Sequence, residues 1–335
     1  MNLKDETYIK IYISYYICVT ILSVFVNTFL LDIYFRCSTR LILSYKYFFL
    51  LFAIVGIIQS LLFCSLLPVM TSTSSATGYI CLSPLAILPL GDILMCLLGA
   101  SFQIMMLLIL NSFLHRYLRL CKPYLMNVLF TRNHIHFVVI ISGLVLVNWL
   151  IIMRLVLWRT GELTEALKDI IWQQFNVNIT RTSYLGISSK MKVNIIQLSL
   201  GTEAILMFAF HYVFIVYCSV AIMKHINTNL ISSNARNLHR QMLKLLLCQC
   251  AIPLVCINLP ASIGSLFFQT GFASPVPLAL CLSAIYPLCT LANPLVIIFF
   301  VRDYKLYVTR IIRPNKVFSS ASQVMNRSRN HSTLN

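Results

Sequence analysis

Seven long apolar runs dominate this sequence and confine most of its basic residues to the segments between them. The runs lie near residues 9–35, 47–70, 91–114, 135–157, 194–223, 243–268 and 277–300. As a helix rising about 1.5 Å per residue, each run is long enough to cross about 30 Å of hydrocarbon. The sequence therefore predicts an all-α membrane protein, built as a bundle of seven transmembrane helices.

The composition agrees with a membrane protein and argues against a soluble one. Hydrophobic residues make up 59% of the chain and charged residues only 10%, whereas a soluble domain would carry about a quarter charged residues. The formal net charge of +17 raises the question of nucleic-acid binding. The basic residues lie between apolar runs rather than in one folded basic domain, so nucleic acid is not expected as a partner.

The distribution of lysine and arginine predicts the orientation of the chain in the membrane. With seven spans, eighteen of the 26 basic residues fall on one side and seven on the other, and Arg154 lies inside the fourth run. Basic loops mark the cytosolic side, so the N-terminus is expected outside and the C-terminus in the cytosol. The first run is too long for a signal-peptide core and is interpreted as an uncleaved span.

A glycosylation sequon supports this orientation. Asn178-Ile179-Thr180 lies in the long second outer loop, where the glycosylation machinery would reach it. Asn178 is therefore the expected glycosylation site. Asn326 and Asn330 also begin sequons, but they fall in the predicted cytosolic tail and should stay unmodified.

The segment after the seventh run is predicted to form a short amphipathic helix over residues 301–313. Apolar and basic side chains interleave there at helical spacing, which favours a helix lying against the lipids of the inner leaflet. A merely basic juxtamembrane segment fits the spacing equally well. Residues 1–313 would form the seven-transmembrane domain, and the polar, serine-rich residues 314–335 a disordered cytosolic tail.

Polar side chains inside the apolar runs are the candidates for ligand contact, because placing them in lipid is costly. From their depth in the spans, the candidates for an outward-facing ligand cavity are Asp92, Gln103, Glu203 and His211. The alternative is that such groups pair with one another and hold helices together. Asn27, in the first run, is expected to bond between helices.

Signatures of catalysis and of bound cofactors are missing from the sequence. It contains no G-x-S-x-G, no H-E-x-x-H and no P-loop. Most of the twelve cysteines lie inside apolar runs, without the spacing of a zinc site, and are interpreted as small buried hydrophobic residues. We expect no enzyme activity, no metal and no cofactor.

Short motifs in the third and seventh runs carry a resemblance to a known family. They comprise His115, Arg116, Tyr117, Pro123, Asn293 and Pro294. Their order resembles the rhodopsin-like class of G-protein-coupled receptors, whose third helix ends in an acidic-Arg-Tyr triplet with a proline seven residues past the arginine. The resemblance implies that these six residues serve activation and coupling to a heterotrimeric G protein.

The chain also departs from that class. His115 replaces the acidic residue, and Gly91 stands where the class has a cysteine tied to the second outer loop, which has no cysteine here. A disulfide from Cys81 is left open, with Cys64 and Cys281 as its outward neighbours. Leu98 replaces the acid with which amine receptors hold their ligand, so an amine ligand is not expected.

The segments at residues 44–60 and 111–120, with the tyrosine- and cysteine-rich spans, are similar to nematode serpentine chemoreceptors, most of all to the delta class (Srd) of the Str superfamily. The resemblance covers nearly the whole chain. It implies a plasma-membrane receptor of the sensory cilium that binds an external odorant or pheromone and signals to a heterotrimeric G protein. A seven-span ligand-gated channel or transporter is the alternative.

The orientation can be tested on intact cells. We expect a tag at the N-terminus to be stained without permeabilisation and a tag at the C-terminus only after it, because the cytosolic side carries most of the basic residues. Asn178→Gln should also remove a glycan-dependent shift on a gel. A C-terminal tag that stains on intact cells would contradict the orientation.

Overall fold

The computed structural model describes residues 3–37, 43–129, 135–189, 194–228 and 232–312. Within these ranges, seven helices are long and apolar enough to cross a membrane, which confirms the predicted seven-span bundle. In chain order the spans are Glu6–Arg36, Lys46–Leu66, Leu90–Cys121, His136–Leu157, Ile195–Thr228, Ser233–Thr270 and Val276–Phe300.

The spans are built from helices that differ in regularity. The first three spans are single helices, α1 (Leu3–Arg36), α2 (Leu43–Leu66) and α3 (Leu90–Cys121), and α4 (Pro123–Leu129) follows. The fourth span is α5 (Ile135–Ile152) with a π-helical stretch, Met153–Leu157; α6 (Gly161–Phe175) lies in the loop after it. The remaining helices are α7 (Ile195–Thr228), α8 (Ser233–Pro253), α9 (Leu259–Thr270), α10 (Val276–Ser283), α11 (Leu288–Phe300) and α12 (Arg302–Ile312).

Several spans begin or end at residues other than those predicted. The third and fifth helices continue past residues 114 and 223, to Cys121 and Thr228. The second span ends at Leu66 rather than near residue 70, because Leu67 takes a positive φ of 49° and Pro68 cannot donate a helical hydrogen bond. The sixth span begins at Ser233 rather than near residue 243. Its inner end carries basic side chains such as Arg236 and Arg240, which hid these helical turns from a search for apolar runs.

A three-stranded antiparallel sheet covers the end of the bundle that the charge distribution places outside. Strands β1 (Pro68–Ser72) and β2 (Ala76–Cys81) form a hairpin between the second and third spans, and β3 (Tyr184–Ser188) comes from the loop between the fourth and fifth. Gly78 faces Gly186 across β2 and β3, and a Cβ at either glycine would lie 2.5 Å or less from a backbone oxygen of the other strand. The sequence did not predict this sheet.

Helix α6 packs on the core at the outer end of the bundle, and nearby residues in the sequence determine where it begins and ends. Thr160 caps it by accepting a hydrogen bond from the backbone N–H of Leu163 at 3.2 Å, and Asn176 ends it in the left-handed conformation. The buried positions recur every four residues, at Leu163, Leu167, Ile171 and Phe175. This spacing gives the helix one apolar face.

Polar side chains join the first, second and seventh spans in the interior. Asn27 Nδ2 donates to the carbonyl of Thr290 at 3.1 Å, which confirms that Asn27 bonds between helices. Ser23 Oγ lies 2.8 Å from Ser60 Oγ and donates to Thr290 Oγ1 at 2.9 Å. Because water is excluded from the bilayer core, buried polar groups there must pair with one another, and these hydrogen bonds hold the three spans together.

The seventh span is interrupted between α10 and α11, and tyrosines of the first span compensate for the interruption. Pro287 has no N–H, so the carbonyl of Ser283, four residues earlier, receives no helical hydrogen bond from it. Tyr16 donates its hydroxyl to that carbonyl at 2.8 Å, and Tyr15 donates to the next one, at Ala284, at 3.0 Å. The first span therefore stabilises the break in the seventh.

Beyond the seventh span, α12 confirms the predicted amphipathic helix. Tyr304 is its buried side chain, whereas Arg302 and Arg310 are exposed. The predicted tail at residues 314–335 lies outside the described residues.

Replacing Tyr16 with phenylalanine should destabilise the protein. The Ser283 carbonyl would keep the backbone N–H of Tyr286 at 3.2 Å but lose the Tyr16 hydroxyl, a hydrogen bond worth about 0.5–1.5 kcal/mol. We expect Tyr16→Phe to lower the Tm of the purified protein in nanodiscs. Tyr8→Phe is the matched control, because Tyr8 is 42% exposed on the same helix. Equal Tm values for the two variants would contradict this assignment.

Candidate functional site

A cavity of about 330 Å³ lies beneath the outer sheet, within the outer half of the bundle. Most of the side chains that line it are aliphatic, aromatic or thioether groups. From the helices these are Phe63, Met95, Leu98, Phe102, Met105, Met106, Trp149, Met153, Leu157, Phe208, Pro253, Ile257, Ala261 and Tyr286. Among the described residues that line the cavity, none carries a charge.

The third span contributes the largest face of the cavity. Met95, Leu98, Phe102 and Met105 follow one another at intervals of three or four residues, so they lie on one side of the helix. Trp149 of the fourth span closes against this face by donating its indole N–H to the carbonyl of Gly99 at 3.1 Å. The methionines give the lining flexible, polarisable groups that adapt to the shape of an apolar ligand.

The outer sheet forms the roof of the cavity. Pro68 and Met70 of β1, Tyr79 of β2 and Leu185 and Ile187 of β3 are among the lining residues. Tyr286 of the seventh span donates its hydroxyl to the Tyr79 hydroxyl at 3.3 Å, which links the roof to the bundle. Burial raises the pKa of Tyr79, so its hydroxyl stays neutral at physiological pH.

The polar groups that line the cavity are already bonded within the protein. Asn258 Nδ2 donates to the Tyr212 hydroxyl at 2.5 Å, and Ser265 Oγ donates to the carbonyl of Ala261 at 2.9 Å. A ligand would therefore gain most by filling apolar space, and a charged ligand would lose its hydration without compensation.

A salt bridge attaches the roof to the third span. Asp92 lies 3.1 Å from Arg159 of the second outer loop, and Ser183 donates its hydroxyl to the Asp92 carboxylate at 2.6 Å. Both partners of Asp92 belong to the loop that carries β3. This contact stands where the resemblance implies a disulfide, one residue after Gly91.

The disulfide considered for Cys81 is not formed. All twelve cysteines lie within the described ranges, and all are free thiols. Cys81 is fully buried and donates its thiol to the sulfur of Met95 at 3.9 Å, beneath the roof. Burial raises the pKa of Cys81, which keeps this thiol protonated and unreactive.

The four predicted ligand residues do not form one cluster, and none of them lines the cavity. Asp92 holds the roof, whereas Glu203 is exposed on the fifth span and accepts from Asn148 Nδ2 at 2.7 Å. Gln103 and His211 are buried and share Met207 as a neighbour: Gln103 contacts its sulfur at 4.0 Å and His211 its carbonyl at 2.5 Å. Ligand contact by these four side chains stays a prediction.

The residues of the His115-Arg116-Tyr117 motif connect the third span to its neighbours at the inner end. Arg116 donates to the backbone carbonyl of His239 in the sixth span at 2.6 Å. The ring of His115 packs edge-on against Phe48 of the second span, with centroids 5.7 Å apart. Tyr117 reaches the fifth span, where the hydroxyls of Tyr117 and Tyr217 lie 3.4 Å apart.

The other motif residues occupy helix positions that suit their chemistry. Asn293 Oδ1 accepts from Gln249 of the sixth span at 3.3 Å, and its Nδ2 contacts the sulfur of Met105 at 3.3 Å, so it joins three spans. Pro294 lies inside α11, and Pro123 is the first residue of α4, a position where its missing N–H costs nothing.

The predicted glycosylation site is accessible. Asn178 and Thr180 are exposed in the second outer loop. The side-chain oxygen of Asn178 accepts from the Thr180 hydroxyl at 2.7 Å and from its backbone N–H at 3.1 Å.

A sequence model of the family described as serpentine type 7TM GPCR chemoreceptor Str matches residues 12–309. The chain belongs to this family. No curated protein sequence matches the chain. Membership in the Str family confirms the resemblance at the level of the superfamily and identifies a multi-pass membrane protein of a chemoreceptor family.

The residues that line the cavity of this Str-family member were not predicted from the sequence. The predicted ligand residues were polar side chains at membrane depth, whereas the lining is mainly apolar. One signal was present: Met95, Leu98, Phe102, Met105 and Met106 are large flexible or aromatic side chains at helical spacing in the outer two thirds of the third run. That pattern is also typical of ordinary helix packing, so it indicated no site by itself.

Asp92→Asn should loosen the roof. The substitution removes the charge that pairs with Arg159, whose side chain is 35% exposed, so the loss should be modest, about 1 kcal/mol or less. By hydrogen–deuterium exchange, we expect amides of β3 to exchange faster by up to about fivefold, with the inner halves of the spans unchanged. Asp32→Asn, which breaks an exposed pair with Arg36 at the inner end, is the control. Unchanged exchange in β3 would contradict the attachment.

Proposed function

We propose that this Str-family protein is a chemosensory receptor that binds an uncharged, apolar small molecule in the cavity beneath the outer sheet. The observation that carries the proposal is the lining: apolar side chains enclose the space, no described lining residue is charged, and the polar lining groups Tyr286, Asn258 and Ser265 are already bonded. An odorant or pheromone of low polarity fits these properties.

The size of the cavity supports a small ligand. At about 330 Å³, it is at the lower end of the volumes of small-molecule sites in proteins. A volatile molecule would fill it, whereas a peptide would not. Leu98, at the centre of the third-span face, provides apolar surface where amine receptors carry an acid, and a cationic ligand is therefore disfavoured.

Arg116 is the proposed link between the ligand and a heterotrimeric G protein. Its bond to the His239 carbonyl joins the inner ends of the third and sixth spans. We expect the signalling state to break this bond as the sixth span moves outward, with Arg116, Tyr117 and the nearby Pro123 then available to the G protein. His115, Asn293 and Pro294 would position the helices that move.

The ligand can promote that state only if it binds it more tightly than the resting one. The sixth span contains an irregular stretch that could transmit the effect of a bound ligand to its inner end. Pro253, the last residue of α8, and the π-helical stretch Leu254–Asn258 that follows it form part of the cavity wall, and α8 is the helix that carries His239. Irregular turns of this kind bend more readily than regular helix.

The finer assignments suggested by the resemblance remain part of the proposal. They are membership of the delta class (Srd), a nematode source, a location in the sensory cilium, and glycosylation of Asn178. The exposure of Asn178 supports the last of these.

The proposal is tested by recording responses of transfected cells to a panel of volatile ketones, esters and alcohols, with and without G protein. Leu98→Asn would bury an amide among apolar groups, at a cost of about 1–3 kcal/mol. We expect it to raise the half-maximal concentration of an activating volatile about tenfold or more. Leu98→Met, of similar volume, is the matched control.

In the same cells, Arg116→Ala should abolish G-protein activation while surface expression is retained. Binding of the activating volatile should persist, because Arg116 does not line the cavity. A ligand-evoked current that survives in Arg116→Ala and without G protein would overturn the receptor proposal in favour of a channel. Equal potency in Leu98→Asn and wild type would overturn the assignment of the cavity.

A further inference from the structure

Both edges of the roof are hydrogen-bonded to the bundle, so within the part of the outer end that the structure describes, the roof offers no simple path from the outer water to the cavity. At the β1 edge, the backbone N–H of Met70 donates to Ser283 Oγ at 2.8 Å. Ser72 is held twice, with its N–H donating to Ser274 Oγ at 3.0 Å and its hydroxyl to the carbonyl of Gly264 at 2.8 Å. These bonds fix β1 to the sixth span and to the start of the seventh.

The β3 edge is fixed to the opposite side of the bundle. The backbone N–H of Ser183 donates to the carbonyl of Ala86 at 2.9 Å, and the N–H of Leu88 donates to the carbonyl of Arg181 at 3.1 Å. Asp92 adds its contacts to Arg159 and Ser183. A ligand arriving through the roof would have to break several of these bonds together.

The side of the cavity between the fourth and fifth spans is also closed. Trp149 and Phe208 meet edge-on with centroids 5.3 Å apart. Asn148 bonds to Glu203 at 2.7 Å, and Gln197 donates to the carbonyl of Leu155 at 3.1 Å. Aromatic and hydrogen-bonded contacts therefore join these two spans along the height of the cavity.

The outer halves of the fifth and sixth spans are not joined in this way in the part of the chain that the structure describes. The outer half of the sixth span packs mainly on elements other than the fifth span. The main packing partners of α9, the outer half of the sixth span, are β1, β2 and α10, and the fifth span is not among them. The cavity-lining side chains of this region are only half-buried, at Phe208, Ile257, Ala261 and Ser265. By contrast, Met95 and Leu98 on the opposite wall are buried.

A hydrogen bond joins the two spans at the level of the cavity. The Asn258 amide of the sixth span donates to the Tyr212 hydroxyl of the fifth at 2.5 Å. Asn258 lines the cavity and Tyr212 does not. This hydrogen bond lies at the inner edge of the half-buried region, one turn further in than Phe208.

We propose that the ligand enters the cavity laterally from the outer leaflet, between the outer halves of the fifth and sixth spans, with the Asn258–Tyr212 bond as a clasp that limits the rate. The inference rests on the proposed function and narrows its ligand class to molecules that dissolve in hydrocarbon. The membrane collects such molecules from water and presents them to the half-buried apolar residues of the gap. Charged molecules are excluded before they reach the cavity.

The test measures binding kinetics of the uncharged fluorophore 1-aminoanthracene to the receptor in lipid nanodiscs. The sequence has three tryptophans; replacing Trp158 and Trp172 with phenylalanine leaves Trp149, in the cavity wall, as the donor for energy transfer. Probe dissolved in the bilayer also accepts energy from Trp149, but that transfer does not saturate, so the saturable part of the stopped-flow signal reports arrival at the cavity. Saturable transfer from Trp149 is expected.

Two substitutions should change the rates in opposite directions. Tyr212→Phe removes the clasp and should raise association and dissociation rates together by about threefold or more, leaving the equilibrium constant within about twofold. Ala261→Phe narrows the gap and should lower the association rate about tenfold. Tyr217→Phe, at the inner end of the fifth span, and Leu266→Phe, on the exposed face of the sixth, are the matched controls.

Asp92→Asn, which loosens the roof, should leave the association rate unchanged. Faster association in Asp92→Asn, with no effect of Tyr212→Phe or Ala261→Phe, would overturn lateral access while leaving the apolar cavity in place. Absence of saturable transfer from Trp149 in the background with the other two tryptophans replaced would instead overturn the proposed cavity, and the access route with it. A slow association in Ala261→Phe together with fast exchange in Tyr212→Phe would support the route.

Discussion

Polar groups must find their partners inside the protein when the surrounding solvent is hydrocarbon, and the described structure depends on this constraint. Where Pro287 interrupts the seventh span, the freed carbonyl of Ser283 is bonded by Tyr16 of the first span. Further in, Asn27 joins the same two spans through the carbonyl of Thr290. Each of these hydrogen bonds gives a buried polar group its partner and also holds the first span against the seventh. The irregular turns of the seventh span therefore help to join the two helices.

The same constraint explains how an apolar cavity can coexist with a polar outer end. The roof satisfies its backbone through the ladder of β1, β2 and β3 and through bonds to the spans, so it seals the cavity without a disulfide. The third span then serves both ends: Leu98 faces the cavity and Arg116 bonds to His239 at the inner end. Asn258 of the sixth span also lines the cavity, so a ligand bound in it would contact the two helices whose inner ends Arg116 connects.

The sequence predicted what depends on hydropathy and charge, namely the seven spans, the amphipathic helix after them and the inner position of Arg116. It did not predict the features that depend on contacts between distant parts of the chain, such as the outer sheet and the partners of Asp92. Strand β3 pairs with β2, which lies more than 100 residues away in the chain, and the strands of the β1–β2 hairpin show no alternation of buried and exposed residues that would have marked them. Asp92 was expected to bind ligand because it is an acid at the mouth of a span, but the sequence does not show Arg159 and Ser183 beside it. The cavity was missed because apolar lining and apolar packing have the same composition.

The central claim is that this Str-family chain recognises an apolar molecule in the roofed cavity. Photolabelling tests it most directly, with a short alkane that carries a diazirine, applied to the receptor in nanodiscs with and without an activating volatile. If the volatile binds in the cavity, it should suppress the labelling of Met95, Met153 and Trp149 but not that of lipid-facing residues such as Ile205. Labelling confined to lipid-facing positions, or cavity labelling that the volatile leaves unchanged, would contradict it.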